Sequence, residues 1–194
     1  MMRDNKRKIM LVDVDLTVVD PSKMWVEYMN KISGYNITLE NQERYPYDLS
    51  KLYPQWVDRD ALFSFWNKQD LYDDMNPIEN SVEVLKEMNK AGFNIVFASV
   101  IKHGHDKSKY YFLKRNFPFM AGCVYTREKG FIKADVFIDD RNEYLNLMDD
   151  SVLKIKRNTQ FEQTEDLTVK AYTFDDWLEV EQGMSDLMKA GLFV

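Results

Sequence analysis

Short apolar stretches bounded by charged residues recur along the chain and predict buried strands. They are rich in β-branched and aromatic residues and too short for ordinary helices. Strands of this kind are typical of parallel sheets whose two faces are both covered. The five stretches are KIMLVDVD, NIVFAS, GCVYT, ADVFIDD and VLKIKRN.

Segments with helical spacing of apolar residues lie between and after these strands. Gly34 and Gly92 are placed to end two of the predicted helices, and FDDW opens the last one. Strands that alternate with helices form right-handed βαβ units. From residue 77 onward the pattern therefore predicts an α/β fold, a doubly wound parallel sheet with helices on both faces.

Residues 21–74 interrupt this alternation. The segment is unusually aromatic, and MWVEYMNKIS and DRDALFSFWNKQDLY predict two helices, the second capped by Asp58 or Asp60. A loop rich in proline and tyrosine, YPYDLSKLYPQW, separates them. We predict a core domain of residues 1–20 and 75–194, with a small helical cap, residues 21–74, inserted after the first strand.

Polar side chains stand where three predicted strands end. Asp13 and Asp15 follow the first strand, Ser99 the second, and Asp139 and Asp140 the strand ADVFI. Ligands of open α/β sheets bind outside the carboxyl ends of the strands. We therefore expect these carboxylates and the hydroxyl to converge on one edge of the sheet.

Carboxylates gathered at one point repel each other unless a cation joins them. Hard oxygen ligands in this number suit Mg²⁺, which commonly shares its site with phosphate. The strand ends offer neither sulfur nor imidazole, which disfavours zinc. The sequence thus predicts a magnesium site that tolerates an ionised Asp13 and an incoming phosphate.

The same side chains suit phosphoryl transfer. Asp13 can attack phosphorus and form an aspartyl-phosphate, while Asp15 can protonate the departing alkoxide and later activate water. Thr17 and Ser99 can donate hydrogen bonds to phosphoryl oxygens, and a lysine should complete the charge stabilisation. Phosphoryl transfer asks mainly for positioning and charge neutralisation, and these residues supply both.

The ordered set DVDLT, strand-end serine, lysine and IDD resembles the haloacid dehalogenase-type phosphatase pattern. More narrowly, the chain is similar to the 5′(3′)-deoxyribonucleotidases. The similarity is carried by LYDDMNPIENSVEVLKEM, VYTREKGFIKADVFIDDR and FDDW. It implies a Rossmann-like core with a helical cap and a Mg²⁺-dependent phosphatase for (deoxy)nucleoside monophosphates. It also leaves a homodimer open, since members of the family often dimerise.

The resemblance assigns roles to the strand-end acids. Asp13 would be the nucleophile, and Asp15 the general acid/base and a metal ligand through its main chain. Asp139 and Asp140 would complete the Mg²⁺ site, and the sequence does not say which of them touches the ion. These assignments agree with the chemistry inferred from the residues.

The resemblance also assigns lysines and points to departures from the family pattern. Lys129 matches the phosphate-neutralising lysine, with Lys133 as the alternative, and Lys102 matches a further lysine on the substrate side. The family's usual Thr-Ser pair is replaced by an alanine followed by Ser99. Leu16 replaces the commoner glycine after the second acid, so we expect a less tight turn there.

An aromatic cap over a phosphatase site suits a nucleobase, because stacking on aromatic rings stabilises bound bases by ~1–3 kcal/mol each. Tyr45 and Tyr47, in the loop, are the favoured stacking residues. Trp25 and Tyr72 are further candidates. Trp66 is another, but it falls with Phe63 at helical spacing, which is more typical of packing inside the cap.

A structural interpretation is favoured for several other residues. Lys109 and Lys114 are expected on a solvated helix face, and His103 and His105 in a solvated loop rather than at a metal. Cys123 lies in an apolar stretch and is expected to pack.

Composition narrows the function classes. The 194 residues carry a net charge of −6, and an acidic chain binds duplex nucleic acid poorly. No apolar run approaches the ~20 residues of a membrane span. A single cysteine excludes an internal disulfide and is typical of a reducing compartment. We expect a cytoplasmic protein whose partner is a small-molecule substrate, neither duplex nucleic acid nor membrane.

Two alternatives remain open. The same machinery could act on another small phosphate ester, such as a sugar phosphate or a polynucleotide 3′-phosphate; the acidic charge and the lack of a GxxxxGK[ST] motif argue against the polynucleotide. A receiver-like phospho-acceptor domain also combines acids, a hydroxyl and a lysine. It is less favoured, because here the middle strand ends in Ala98 and Ser99 rather than in an acceptor aspartate.

Overall fold

The computed structural model describes residues 7–39, 43–101 and 104–191. Six parallel strands form one sheet in the order β3-β2-β1-β4-β5-β6. This order is that of a doubly wound α/β sheet, so the predicted fold class is confirmed. The strands are β1 (Lys8–Val12), β2 (Phe93–Ser99), β3 (Gly122–Tyr125), β4 (Val136–Asp139), β5 (Leu153–Arg157) and β6 (Tyr172–Phe174).

Capping residues mark the ends of three helices. Gly34 takes φ 75° after the first helix and donates its N–H to the Asn30 carbonyl, Asp58 caps the second, and Asp176 and Glu179 form a capping box on the last. None of the helices in the described ranges has the length and hydropathy needed to cross a bilayer. The helices are α1 (Ser22–Ser33), α2 (Arg59–Phe63), α3 (Ser81–Lys90), α4 (Asp106–Asn116), α5 (Asn142–Asn146) and α6 (Trp177–Lys189).

The central strand β1 lies between β2 and β4, and its register aligns the strand ends. Val12 pairs with Phe97 on one side and with Ile138 on the other. The N–H of the next residue, Asp13, donates to the Ile138 carbonyl at 2.9 Å. Because parallel strands end at the same edge, this register brings the residues that follow β1 and β4 together.

Alternate residues of β1 enter two separate apolar clusters, as expected for a sheet covered on both faces. Met10 and Val12 belong to the larger cluster, which continues into the 21–74 segment through Trp25 and Leu62. Leu11 belongs to the smaller cluster on the other side. The segment 21–74 holds α1, α2 and two short 3₁₀ turns, and the proposed division into core and cap remains a prediction.

Two elements differ from the sequence prediction. The strand β6 was not predicted, because its three residues include only one that is buried, Phe174, and so form no apolar run. The helix predicted over DRDALFSFWNKQDLY ends at Phe63 and continues as a 3₁₀ turn, Ser64–Asn67. The Ser64 hydroxyl donates to the Ala61 carbonyl at 2.6 Å, a side-chain bond that competes with the helical ladder.

The turn after Asp15 is tighter than expected. Leu16 adopts φ 60°, a left-handed conformation that costs a non-glycine residue about 1–2 kcal/mol. Its N–H donates to the Val19 carbonyl at 2.7 Å, and its own carbonyl accepts from the Arg157 guanidinium. The leucine side chain is only 8% exposed, so burial offsets the backbone strain.

Two substitutions at this position separate strain from packing. Leu16→Ala and Leu16→Gly both remove the buried side chain, but only glycine adopts the left-handed conformation freely. We expect the glycine variant to have the larger free energy of unfolding, by about 1 kcal/mol, in urea titrations. The matched pair at the exposed helical position Lys86 should show the opposite order. If Leu16→Gly were less stable than Leu16→Ala, the inference that the backbone of Leu16 is strained would be wrong.

Candidate active site

Three buried carboxylates meet at the carboxyl ends of β1 and β4. Asp13, Asp139 and Asp140 each offer an oxygen, and the three oxygens lie within 4.8 Å of one another. The register of β1 against β4 produces this meeting, since Asp13 follows β1 directly and Asp139 ends β4. The structure therefore brings together three of the four acids predicted to surround a metal.

A fully buried lysine joins two of these acids. Lys129 Nζ lies 2.5 Å from Asp13 Oδ1 and 2.7 Å from Asp139 Oδ2. Burial by itself lowers the pKa of this lysine, but the two carboxylates outweigh that effect and raise the pKa above its ordinary value. Its alternative, Lys133, is exposed. The structure thus places Lys129, rather than Lys133, at the acids.

Asp15 stands apart from the three acids, and separate partners hold its carboxylate. Lys109 Nζ donates to Oδ2 at 2.6 Å, and the Tyr72 hydroxyl donates to Oδ1 at 2.5 Å. Burial and the Asp15 charge raise the pKa of Tyr72 above its ordinary value, so the phenol keeps the proton that it donates. The side chain of Asp15 is therefore engaged elsewhere than at the metal group. A role for its main chain as a metal ligand stays a prediction.

The position of Lys109 corrects the sequence prediction of a solvated helix face. The side chain is fully buried, whereas Lys114 is exposed as expected. The spacing contained the signal: Lys109 precedes Phe112 and Leu113 by three and four residues, which places it on their buried face of α4.

Two further predictions fall on the loop before α4. Lys102 and His103 lie outside the described residues. His105 is not solvated but buried, and its Nδ1 lies 2.7 Å from the Trp66 carbonyl oxygen. Burial lowers the pKa of this histidine, which favours the neutral ring.

The two hydroxyl residues predicted to bind phosphate are buried below the site. Thr17 is fully buried, and its carbonyl accepts the Trp177 indole N–H at 3.1 Å. Its side-chain hydroxyl has no hydrogen-bond partner among the described residues and does not line the cavity over the acids, and the predicted phosphate contact stays a prediction. Ser99 is also buried, and its hydroxyl accepts from Lys109 Nζ at 2.9 Å and lies 3.5 Å from Asp15 Oδ2. Ser99 therefore supports the lysine.

A cavity of about 270 Å³ opens over the acids. Asp13, Asp15 and Asp140 lie at its base, and Arg127 and Arg141 also line it. Much of the remaining wall comes from aromatic side chains of the 21–74 segment. The aromatic lining residues are Trp25, Tyr47, Phe63, Trp66 and Tyr144.

Only one of the two favoured tyrosines lines this cavity. The Tyr47 ring does, and the Arg141 guanidinium stacks on it at 4.1 Å. Tyr45 is 2% exposed, packs beside Phe161 with 6.0 Å between ring centroids, and does not line this cavity, so the structure does not bring it to the acids. In an extended segment, residues two apart share a face only when the chain runs straight. Here Tyr45 makes a short bridge to Phe161, and the chain then bends at Tyr47 and Asp48.

Trp66 and Phe63 combine the packing expected of them with a place on the cavity wall. The ring of Trp25 lies 5.3 Å from Trp66, edge-on, and 5.4 Å from Phe63. Rings fixed by mutual packing form a rigid apolar surface beside the acids.

Comparison with models of protein families shows to which family the chain belongs. The model of the 5′ nucleotidase, deoxy (Pyrimidine), cytosolic type C protein family matches residues 7–190. The chain belongs to this family. Family and fold together make it a phosphatase of the haloacid dehalogenase type, which confirms the resemblance inferred from the motifs.

Solved structures share the fold of this nucleotidase-family chain at low sequence identity. A haloacid dehalogenase-superfamily hydrolase from Ehrlichia chaffeensis is 14% identical, with a TM-score of 0.57 over 94% of this chain and 98% of that one. A family hydrolase from Deinococcus radiodurans, solved with bound phosphate and sodium, is 13% identical, with a TM-score of 0.59 over 98% and 99%. No curated protein matches the chain.

Phosphatases of this type typically use a divalent metal, and the residues present fit one. When all three carboxylates are ionised, the ammonium of Lys129, which contacts Asp13 and Asp139, balances only one of the three negative charges. Burial raises the pKa of Asp13 to about 7, although Lys129 opposes the shift. Asp140 Oδ2 is buried and has no hydrogen-bond partner among the described residues. Asp13, Asp139 and Asp140 would hold the cation and gain the missing partner.

Several lining residues of this phosphatase were not predicted. Arg141 lies in the quoted IDDR, but no role was assigned to it. Arg127 stands in the TREKG loop, and His105 was assigned to solvent. Single charged or imidazole groups in loops carry no periodicity, so only their three-dimensional position reveals them.

Neutralising Asp140 tests the charge imbalance. Burial, followed by the charges of Asp139 and Asp13, raises the pKa of Asp140 well above its ordinary value, so its ionised form destabilises the metal-free fold at neutral pH. We expect Asp140→Asn to raise the thermal midpoint in chelator by about 3 °C and to reduce the stabilisation by Mg²⁺. The exposed acid Asp150 offers the control Asp150→Asn, which should change neither quantity. If Asp140→Asn lowered the thermal midpoint in chelator, the inference of excess negative charge at the three acids would be wrong.

Proposed function

We propose that the protein is a Mg²⁺-dependent phosphatase that hydrolyses (deoxy)nucleoside monophosphates through an aspartyl-phosphate intermediate. The observation that carries the proposal is the joint geometry of the cavity. One oxygen from each of three acids lies within 4.8 Å of the others, Lys129 contacts two of these acids, and aromatic side chains line the same cavity. Acids and lysine suit a phosphate, and the rings suit a base.

The reaction begins with Asp13. Its carboxylate attacks phosphorus, a new P–O bond forms, and the ester bond to the nucleoside oxygen breaks. Asp15 must enter this step protonated; it gives that proton to the departing alkoxide, then takes one from water as that water attacks the aspartyl-phosphate and the bond between Asp13 and phosphorus breaks. Inorganic phosphate leaves, and both carboxyl groups return to their starting forms.

Lys129 holds Asp13 in place and carries positive charge beside the phosphoryl group. A Mg²⁺ ion held by Asp13, Asp139 and Asp140 would supply further positive charge, which would favour the ionised form of Asp13 and offset the charge of the substrate. Since Lys109 lies against Asp15, a second ammonium group stands near the leaving oxygen. Charge stabilisation of this kind is the main demand of phosphoryl transfer.

The aromatic wall supports a nucleoside as the leaving group. Trp66, Phe63 and Tyr47 come from the 21–74 segment and line the same cavity as Asp13. The proposal includes a small-molecule substrate and neither duplex nucleic acid nor a membrane as partner; the net negative charge of the chain supports the exclusion of duplex nucleic acid. It also includes action in the cytoplasm, which the description of the family as cytosolic supports. A homodimer is compatible with it.

Replacing the proposed nucleophile tests the mechanism. We expect Asp13→Asn to lower kcat for phosphate release from dTMP or dUMP with Mg²⁺ by about a thousandfold or more. The wild-type rate should also vanish in chelator. Asp150→Asn serves as the control and should retain full activity. Robust turnover by Asp13→Asn would rule out the covalent intermediate.

Replacing a wall residue tests the substrate class. We expect Trp66→Leu to raise KM for dTMP about tenfold, because one stacking surface is lost. The KM for glucose 6-phosphate, measured on the same preparation, should change little. Trp56 is 81% exposed and does not line the cavity, so Trp56→Leu is the matched control. Equal effects on both substrates would argue against a base contact.

A further inference from the structure

Tyr72 contacts the catalytic acid from a segment outside the sheet. It follows the 3₁₀ turn Ser64–Asn67, where the 21–74 segment returns to the core. Its ring is fully buried, between His105 and Phe112 at centroid distances of 5.6 and 6.1 Å. The hydroxyl reaches Asp15 Oδ1 at 2.5 Å. A buried ring with this packing has little freedom to turn away.

The backbone of Tyr72 is fixed by the helix that also carries Lys109. Its N–H donates to Ser108 Oγ at 2.8 Å, and Ser108 Oγ donates to the carboxylate of Asp73 at 2.7 Å. Ser108 is buried, and its neighbour Lys109 donates to the other oxygen of Asp15. The Lys109 ammonium also lies 4.9 Å from the Tyr72 ring centroid. One turn of α4 thus supplies Lys109, which binds Asp15 directly, and Ser108, which anchors the backbone of Tyr72.

We propose that Tyr72, anchored by Ser108, is a positioning residue that sets the orientation of Asp15 for proton transfer to the leaving group. The proposal rests on the phosphatase reaction proposed above, in which Asp15 is the general acid. With Lys109 on one oxygen and Tyr72 on the other, the plane of the carboxyl group is defined from both sides. The returning end of the 21–74 segment thereby fixes the geometry of the acid.

A positioning role has a kinetic signature that a merely structural role lacks. A general acid matters for an alkoxide leaving group and matters little for p-nitrophenolate, which departs without a proton. Misplacing Asp15 therefore slows the hydrolysis of alkyl phosphates selectively. Loss of general stability or of the Asp13 site would slow both kinds of substrate together.

The experiment compares Tyr72→Phe with wild type on dTMP, glucose 6-phosphate and p-nitrophenyl phosphate, all with Mg²⁺. We expect kcat for the alkyl esters to fall about tenfold, and kcat for p-nitrophenyl phosphate to fall clearly less. The KM for dTMP should move by less than about twofold, since the hydroxyl does not hold the base. In the Asp15→Asn background, Tyr72→Phe should cause no further loss.

Ser108→Ala supplies a second variant that leaves the Tyr72 hydroxyl intact. It should shift the same ratio of rates in the same direction and by less. Tyr125→Phe is the control, because that hydroxyl donates to the Asp106 carbonyl and not to Asp15. Equal losses on all three substrates, or additivity with Asp15→Asn, would overturn the proposal. If wild type fails on dTMP but hydrolyses glucose 6-phosphate, the nucleotide assignment fails while the comparison of leaving groups still decides the role of Tyr72.

Discussion

Mutual repulsion among buried carboxylates is the constraint on which this molecule depends. Asp13, Asp139 and Asp140 are forced together by the pairing of β1 with β4, and the sheet cannot keep its register and separate them. One ammonium group, that of Lys129, relieves part of the repulsion. The charge that remains would favour the binding of a cation at this site.

A second ion pair, between Lys109 and Asp15, is separate from the pairs that Lys129 makes. Asp15 is held by Lys109 and Tyr72, and so stays out of the group formed by the other acids. Asp13 and Asp15 thus have different surroundings, although only one residue lies between them in the chain. In the proposed reaction, separate surroundings would let one carboxyl group act as nucleophile while the other transfers protons.

Much of the core could be read from the sequence, because strand and acid signals are local. Apolar runs located five strands, and the polar residues after them located the acids. The buried Lys109 was missed because a lysine on a helix is ordinarily solvated, and its partner lies 94 residues away. Tyr45 and Tyr47 were treated alike although a bend separates their environments. The part of the site that local sequence patterns could not predict depends on contacts between distant segments of the chain.

The left-handed leucine after Asp15 limits the conformations that are open to the loop carrying the acids. A glycine in that turn would give the catalytic loop several accessible shapes, whereas Leu16 is buried and tied through its carbonyl to Arg157 at the end of β5. The loop bearing the acids is thus committed to one form. A ligand that enters the cavity would therefore meet acids whose positions are set before it binds, which lowers the entropic cost of ordering the site.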